Sequence, residues 1–372
     1  MPYRHAAELE KKNDIYETFI RRFFTAAAVL LLLAAGLVFL FDPFFHYHEP
    51  LGPLKAVLTK KEYQVPGTLK NFAYDSVIAG SSTAENFNNR WFDEAFDTRS
   101  VKAIKSSGVT AQLDYYIRMA TEKRTLDYVF YSLDLFALSG DPDTEFPDES
   151  MPLYLYDENP FTDVNYLLNR DVIFEDIPYL LAETFLDDYD EGASYNWAQY
   201  HSFSRNDALA NYARPRERSP EKTEEEYRPY IDGNVDILER MVRENPDTVF
   251  YIFYPPYSLL WWDNMILSGQ LDQSLYAAKA SMERLLPYEN VRLYYFQNEE
   301  DVILDLDLYM DPIHFSEDIN RWMVEEMAQD HYRVTRENMQ EELGRMAQIA
   351  EKIRTDYDGL TESGREAGIG KN

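Results

Sequence analysis

The sequence predicts an α/β fold in which helices cover a central, mostly parallel sheet. Short apolar runs that suit buried strands alternate with stretches in which apolar residues recur at helical spacing, over most of the chain after residue 66. Two features stand outside this pattern: an uncharged apolar run near the N-terminus, and the stretch 138–230, which repeats no strand-helix unit. We therefore expect one sheet-containing domain with an insertion and a separate N-terminal helix.

The composition is that of a folded, strongly acidic protein. The chain has 372 residues, of which 45% are hydrophobic, and its formal net charge is -30 at pH 7. This charge disfavours nucleic acid as a partner, because a polyanion would be repelled. The lack of cysteine excludes disulfides, thiol nucleophiles and Cys-ligated zinc.

Residues 23–41, FFTAAAVLLLLAAGLVFLF, form an uncharged run that predicts a transmembrane helix. As a helix the run is about 28 Å long, close to the hydrocarbon thickness of a bilayer. A cleaved signal peptide is the alternative, but the run is long for one and no clear small-residue cleavage site follows it. We therefore expect a retained anchor.

The basic residues around this run predict its orientation. Five of them precede it in the N-terminal tail 1–22, whereas only Lys55 lies in the first stretch after it. By the positive-inside rule we expect a single-pass protein of the cell membrane with a cytoplasmic N-terminus and an extracytoplasmic main domain. The five basic residues are Arg4, Lys11, Lys12, Arg21 and Arg22.

A membrane-proximal linker at 42–66 follows the anchor and contains Pro and Gly. Its first aromatic residues suit the headgroup zone of a bilayer. His46 and His48 are two residues apart and have the right residue type for a metal site, but we favour interfacial packing. We expect no metal and no other cofactor.

The extracytoplasmic domain is predicted at 67–336, followed by a C-terminal helix at 337–361 and a disordered tail at 362–372. The predicted strands are 75–79, 101–105, 128–133, 248–254 and 291–296. The predicted helices of the domain are 110–123, 234–245, 271–286 and 316–330.

The insertion at 138–230 is rich in Tyr, Asp, Pro and Asn and is too long for a plain connection, so we interpret it as a cap. Its aromatic residues, including Trp197, allow two interpretations: stacking against sugar rings, or packing in a small core of the cap itself. We favour the second.

A turn at the end of the first predicted strand carries our candidate nucleophile. The residues are Gly80-Ser81-Ser82-Thr83. A glycine lets the backbone turn sharply, so the side chain of Ser82 would stand at the carboxyl edge of the sheet, where open α/β folds place their sites.

Far along the chain, Asp311-Pro312-Ile313-His314 places a carboxylate and an imidazole three residues apart across a turn. An imidazole held by a carboxylate keeps one tautomer, and it can take a proton from a serine hydroxyl and return it to a leaving group. His201, next to Ser202, is the alternative base, but no acid lies at turn spacing from it.

The two motifs together resemble the SGNH hydrolase superfamily, also called the GDSL hydrolases. The resemblance implies a three-layer α/β/α fold in which Ser82 is the nucleophile, Asp311 the orienting acid and His314 the base. It also implies that Gly108, in Ser106-Ser107-Gly108-Val109-Thr110, joins the backbone N–H of Ser82 in an oxyanion hole. Within the superfamily the chain looks most like membrane-anchored cell-envelope members, such as the D-alanyl-lipoteichoic acid biosynthesis protein and the alginate O-acetyltransferase-like proteins.

One position departs from the family pattern. The third block of the family, Gly-x-Asn-Asp, supplies an Asn donor to the oxyanion, whereas here the third strand ends in Tyr131-Ser132-Leu133-Asp134. An ionised Asp134 would repel a developing oxyanion. Either Asp134 is protonated, or it turns elsewhere, or another residue completes the hole.

The resemblance implies a membrane-anchored serine esterase or O-acyltransferase that acts on acyl esters of a cell-envelope polysaccharide or teichoic acid. A membrane-bound O-acyltransferase is the protein partner that it suggests. The alternative is a catalytically degenerate scaffold that keeps the fold to bind a polysaccharide or such a partner, and Asp134 and the large cap motivate it.

Carboxylate clusters at 141–145, 187–191 and 224–226 are interpreted as a solvated, self-repelling surface rather than as calcium sites. A calcium-dependent adhesion module is a third alternative. It rests on four aspartates that lack the glycine turn and the spacing of an EF-hand loop. These are Asp301, Asp305, Asp307 and Asp311.

Overall fold

The computed structural model describes residues 2–362, with side chains described for residues 14–361. The predicted tail at 362–372 therefore lies outside the described residues, apart from Glu362 at the end of the last helix. The chain divides into two compact units. The first contains residues 2–57 and 152–189, and the second contains residues 58–151 and the described chain from residue 190.

The second unit contains a six-stranded sheet with the strand order β2-β1-β3-β4-β5-β6. The first five strands are parallel, and the short β6 pairs with β5 in the antiparallel direction. The predicted α/β class with a mostly parallel sheet is thus confirmed. The strands are β1 Ser76–Gly80, β2 Ser100–Ile104, β3 Tyr128–Ser132, β4 Val249–Tyr254, β5 Val291–Tyr295 and β6 Arg333–Val334.

All five predicted strands are present within a residue of their predicted ends. Every residue of β1 and β2 is buried, which means that both faces of this part of the sheet are covered. From β1 the chain crosses to β2 on one side of β1, and it then crosses back to β3 on the other side. The direction in which successive strands are added therefore reverses at β1. In doubly wound sheets this switch point opens a crevice at the carboxyl ends of the strands.

The α-helices are α1 Pro2–Phe41, α2 Lys61–Asn71, α3 Ser82–Glu85, α4 Asn89–Phe96, α5 Thr110–Thr121, α6 Leu135–Leu138, α7 Val164–Leu167, α8 Ile177–Phe185, α9 Arg205–Ala210, α10 Glu224–Glu244, α11 Leu259–Leu267, α12 Leu271–Leu285, α13 Glu300–Ile303, α14 Glu317–Ala328 and α15 Met339–Glu362. Helices α2, α5, α10 and α12 pack side by side, and α4 packs against α14.

Helix α10 begins ten residues before its predicted start at 234. The backbone N–H of Thr223 donates to the Glu226 carboxylate over 2.7 Å, which caps the new N-terminus. Pro229 lies inside the helix and removes only one backbone hydrogen bond near its start. Proline is a weak stop signal so close to a capped helix end.

The stretch 138–230 contains short helices and no strand, and it is divided between the two units. Residues 152–189 belong to the first unit, whereas its two ends stay with the sheet. The last residues of the predicted linker, from Lys61 onward, form the start of α2.

The first unit is built on α1, the N-terminal helix. Its part from Asp14 to Phe41 is long and apolar enough to cross a membrane, and it includes the predicted anchor 23–41. Most of its side chains are exposed, as expected for a helix that packs little against its own chain.

The turn that follows α1 is organised by Asp42, which is buried. Its carboxylate accepts hydrogen bonds from the backbone N–H groups of His46, Tyr47 and His48 over 2.7 to 3.0 Å. The imidazole of His46 lies 3.2 Å from Asp163, and the ring nitrogens of His48 lie 2.7 Å from backbone carbonyl oxygens of the same turn and of α1. Both histidines therefore have local polar partners.

Candidate active site

The turn after β1 places Ser82 at the carboxyl edge of the sheet. A Cβ at Gly80 would lie 2.6 Å from Cβ of Ala84 and 2.9 Å from Cβ of Ser132, so only glycine lets β1 lie this close to both. Ser81 is buried and caps α3, and Ser82 is the first residue of that helix. The sequence requires this tight turn, and the turn leaves the Ser82 hydroxyl only half-buried.

A small loop after β5 holds Asp311 and His314. Tyr309 and Phe315 pair as an isolated antiparallel bridge, and the Met310 N–H donates to the His314 carbonyl over 3.0 Å. The loop is therefore closed at its base, and Asp311 and His314 lie within it, directly before α14.

Asp311 is oriented by the backbone of its own loop. Its Oδ1 accepts hydrogen bonds from the N–H groups of Ile313 and His314 at 2.9 and 2.8 Å. Burial acts to raise the pKa of Asp311, but the hydrogen bonds and charge of His314, together with these N–H groups, outweigh it and hold the pKa below its usual value. The carboxylate therefore stays ionised in the neutral range.

Ser82, His314 and Asp311 form a continuous hydrogen-bonded chain. The Ser82 Oγ lies 2.8 Å from Nε2 of His314, and Nδ1 of His314 lies 2.6 Å from Oδ2 of Asp311. An ionised carboxylate beside Nδ1 favours the tautomer with its proton there, which leaves Nε2 free to accept the serine proton. The side chains of His314 and Asp311 are each 20% exposed, so the chain is reachable from solvent.

The two predicted oxyanion donors differ in their present hydrogen bonding. Within the described part of the chain, the backbone N–H of Ser82 donates to no acceptor. The N–H of Gly108 donates to the Lys105 carbonyl over 2.8 Å and closes a turn in which Ser107 has a φ of 52°. Gly108 would have to share or break this bond to contact an oxyanion.

Asp134 lies buried behind the nucleophile turn. The Tyr257 hydroxyl donates to its Oδ1 over 2.5 Å, and the Thr83 hydroxyl lies 3.3 and 3.4 Å from its two oxygens. Burial raises the pKa of Asp134, although its hydrogen bonds and the charge of His314 act against this. The carboxyl group thus has two hydroxyl partners of its own. This fits the alternative in which Asp134 turns away from the oxyanion hole.

Asn320 is a residue of this site that the sequence did not reveal. It is fully buried in α14, and its Nδ2 donates to the Thr83 carbonyl over 3.1 Å. This bond ties the helix that follows His314 to the helix that begins with Ser82. No sequence signal could have found it, because one Asn in an amphipathic helix has no distinguishing pattern.

Trp197, which the sequence analysis considered only as an aromatic residue of the cap, lies beside the candidate base. Its ring lies 5.0 Å from the His314 imidazole, centroid to centroid, at an angle of 88°. Its backbone N–H donates to the Asn86 side chain over 3.1 Å, which anchors it beside α3. His201 stacks edge-on against the same indole at 5.4 Å and is exposed, and it does not join the Ser82 chain in the described structure. Trp197 therefore packs against the candidate base.

A buried lysine supports the segment that carries Trp197. The Lys102 side chain, on β2, donates to the carbonyl oxygens of Glu85, at 2.8 Å, and of Ser194. Burial lowers the pKa of Lys102 to about 7, against the nearby charges of Glu85 and Glu317. The ammonium group thus joins α3 to the chain that leads to Trp197.

Three of the four aspartates considered for calcium bind other groups of the protein. The Asp305 carboxylate caps the backbone N–H of Asp307 at 3.0 Å, and the Asp307 carboxylate accepts from the Arg205 N–H at 3.0 Å. Asp311 is held in the Ser82 chain. Between residues 14 and 361, no group of three or more His, Cys, Asp or Glu side chains is arranged to hold a metal ion.

In comparisons with known proteins, no protein-family model matches the chain and no curated protein matches it significantly. The resemblance to the SGNH superfamily therefore remains a prediction from short motifs. What the site can do has to be argued from its own geometry.

Proposed function

We propose that this protein is a membrane-anchored serine esterase or O-acyltransferase of the SGNH type. The observation that carries the proposal is the continuous chain from the Ser82 hydroxyl through His314 to Asp311, at 2.8 and 2.6 Å. A serine, a base within hydrogen-bonding distance and an acid that orients the base are the parts that acyl transfer through a covalent intermediate needs.

In the proposed reaction, Ser82 Oγ attacks the carbonyl carbon of an acyl ester while His314 Nε2 takes the hydroxyl proton. The C–O bond of the ester then breaks, and His314 returns the proton to the leaving oxygen. The acyl group remains on Ser82. Water or a sugar hydroxyl then attacks the acyl carbon while His314 takes its proton, the bond between the acyl carbon and Ser82 Oγ breaks, and His314 returns the proton to Ser82. Attack by water is hydrolysis, and attack by a sugar hydroxyl is transfer.

The negative charge that develops on the carbonyl oxygen during attack has to be stabilised by hydrogen-bond donors. The N–H of Ser82, which has no acceptor among the residues that the structure describes, supports the proposal directly, because it lies beside the attacking oxygen. The family resemblance adds the N–H of Gly108 as the second donor, and this requires the turn to Lys105 to open or to share its hydrogen bond. Asp134 is assigned no part in the oxyanion hole.

The substrate class follows from the proposed location. The apolar part of α1 and the basic tail before it support an anchor with the main domain outside the cell membrane. Acyl esters of a cell-envelope polysaccharide or teichoic acid are the substrates that the family resemblance suggests for such a protein. A membrane-bound O-acyltransferase is the partner that would supply acyl groups there.

One observation favours the non-catalytic scaffold as a second candidate. The Gly108 N–H is already bonded to Lys105, so the described conformation offers one free oxyanion donor of the two that the family pattern requires. Removing a single such donor lowers catalysis by about 10²- to 10³-fold in other enzymes. A protein that stays in this conformation would bind an acylated polymer and turn it over about 10²- to 10³-fold more slowly, so that binding rather than catalysis would be its main activity.

The proposal is tested by labelling the full chain in lipid nanodiscs with a serine-reactive fluorophosphonate and locating the adduct by mass spectrometry. We expect one adduct, on Ser82, and none in Ser82→Ala. Ser219→Ala is the matched control, because Ser219 is exposed and lies outside the hydrogen-bonded chain. A folded wild-type protein that takes no label would favour the scaffold.

A further inference from the structure

The first unit contains a helical segment with apolar side chains on two opposite faces. A π-helical turn at Val172–Asp176 continues directly into α8. The residues that face the interior of the unit are buried. On the other side Phe174 is 72% exposed and Phe185 is 58% exposed. The buried set is Val172, Asp176, Ile177 and Leu180.

The two exposed phenylalanines of this segment share one face. Phe174 and Phe185 are eleven residues apart, which is about three helical turns, and Pro178 and Leu181 fall between them at positions four and seven. Phe161 and Leu186, in the same unit, are 86% and 83% exposed. A soluble protein seldom leaves so many large apolar side chains exposed together, and such patches mark interaction sites.

The chain just before this segment and the end of α8 are both bonded to residues 42–55, the stretch that follows α1. The Tyr166 hydroxyl donates to Asp42 over 2.8 Å and accepts from the Phe44 N–H over 3.1 Å. At the other end, Lys55 contacts Thr184 through its backbone N–H, at 3.3 Å, and Asp188 through its ammonium group, at 3.2 Å. The membrane-compatible part of α1 ends at Phe41, so these bonds hold the segment next to the end of that helix.

We propose that residues 161–186 form an interfacial membrane element, in which Phe174, Phe185, Phe161 and Leu186 lie in the lipid bilayer beside the end of α1. The occupant is lipid because α1, the helix that the proposed function places in the membrane, packs against α7 and against the π-helical turn that carries Phe174. The inference rests on that anchor, and it adds a second membrane contact to it.

The charge of the segment indicates which lipids it accepts. Residues 152–189 contain nine carboxylates and a single basic residue, Arg170. Amphipathic elements that bind anionic headgroups are rich in Lys and Arg on their polar side. Insertion of this element is therefore driven by apolar burial, so it is insensitive to salt and weaker in a strongly anionic bilayer.

The chain lacks cysteine, so single cysteines can be introduced one at a time and labelled with a bimane fluorophore. The test uses the full chain in phosphatidylcholine nanodiscs, with and without brominated acyl chains as quenchers. Labels go on Phe174→Cys and Phe185→Cys. Glu175→Cys is the matched control on the same helical segment, and Leu32→Cys, 73% exposed in the middle of the apolar run of α1, reports the anchor.

We expect brominated lipid to quench positions 32, 174 and 185 several-fold more than position 175, with no loss of quenching at high salt. The inference is overturned if quenching at positions 174 and 185 does not exceed quenching at position 175. This result is also the one expected if another protein, and not lipid, covers this face. Position 32 separates the two proposals, because unquenched label there contradicts the anchor itself. The double variant Phe174→Ser/Phe185→Ser is expected to lower quenching of a label at Leu186→Cys.

Discussion

The Nε2 atom of His314 lies 2.8 Å from the Oγ atom of Ser82, although the two residues are 232 positions apart in the chain. A second bond near them supports this distance: Asn320, on the helix after His314, donates to the Thr83 carbonyl next to Ser82. The nucleophile turn and the histidine loop are thus joined twice, once by the candidate catalytic pair and once by a buried amide.

Replacing the candidate base is expected to abolish labelling of Ser82. In His314→Gln no imidazole remains to accept the serine proton, so the fluorophosphonate labelling rate should fall by at least about 100-fold. His331→Gln is the matched control, because His331 also pairs with a carboxylate, Glu326, at 2.8 Å but lies exposed on the surface. Equal losses in the two variants would contradict the assigned role.

Asp311→Asn is expected to slow labelling by about 10²- to 10⁴-fold, because the amide no longer fixes the productive tautomer of His314. The lowered pKa of Asp311 also predicts a pH effect on stability. In the folded protein this pKa is below the usual value of 3.8, so the ionised Asp311 carboxylate stabilises the fold above about pH 3.8. This stabilisation is lost when the pH falls through the lower pKa of the folded state.

This effect is measured as the difference in unfolding free energy between wild type and Asp311→Asn. The difference should be constant at neutral pH and shrink below about pH 4. Asp318→Asn, on the exposed side of α14, is the control and should show a much smaller change. A difference that grows on acidification would refute this account.

Asp134 is expected to have the opposite pH dependence. Burial raises its pKa, so the folded state holds a proton that the unfolded state loses above about pH 4, and folding becomes less favourable as pH rises from there. Asp134→Asn keeps an acceptor for Tyr257 and cannot ionise. Its stability relative to wild type should therefore increase between pH 4 and pH 7 in denaturant titrations.

Tyr257→Phe tests the same carboxyl group from the other side. This change removes the hydroxyl that donates to Asp134 over 2.5 Å and leaves a buried acceptor with one partner fewer. We expect a loss of about 1 to 3 kcal/mol in unfolding free energy at pH 7. A smaller loss at pH 4 is expected, because a neutral carboxyl group needs this donor less.

Lys102→Met is expected to change the alkaline part of the stability profile. The pKa of Lys102 is lowered to about 7 in the folded state, against 10.5 ordinarily, so the unfolded wild type binds more protons between these values. The unfolding free energy of the wild type therefore rises with pH in this range. The unfolding free energy of Lys102→Met should not show this rise, because methionine does not titrate. Denaturant titrations from pH 7 to pH 9.5 measure the difference, and parallel profiles would contradict the prediction.

Trp197→Leu is expected to reduce the labelling rate of Ser82 by about tenfold, because the imidazole of His314 loses the ring that restricts its orientation. The pH dependence of labelling should change as well, which a distant structural effect would not produce. Trp322→Leu is the control, since Trp322 is half-buried and packs on Phe296 and Tyr332 instead. Labelling unchanged in both variants would remove Trp197 from the site.

The sequence by itself determined the local features of this protein. The five strands, the apolar helix, the turn after Gly80 and the Asp311 loop all follow from neighbouring residues, through apolar periodicity, turn chemistry and a short spacing between acid and base. These were predicted at nearly their observed positions, because such signals lie within a few residues of one another, except that the helix containing the apolar run begins at Pro2 and not at 23. The short β6 and the early start of α10 were missed, because two residues carry little periodicity and Pro229 obscured the helix.

Only the tertiary structure decided which distant groups meet. The distance between Ser82 and His314, the two hydroxyl partners of Asp134, the position of Trp197 against the imidazole and the bond between Lys105 and Gly108 depend on how the elements pack. It also divided the stretch 138–230 between two units, which composition alone does not indicate. The physical reason is that contacts across long sequence separations come from the burial of whole faces, and no run of consecutive residues encodes them.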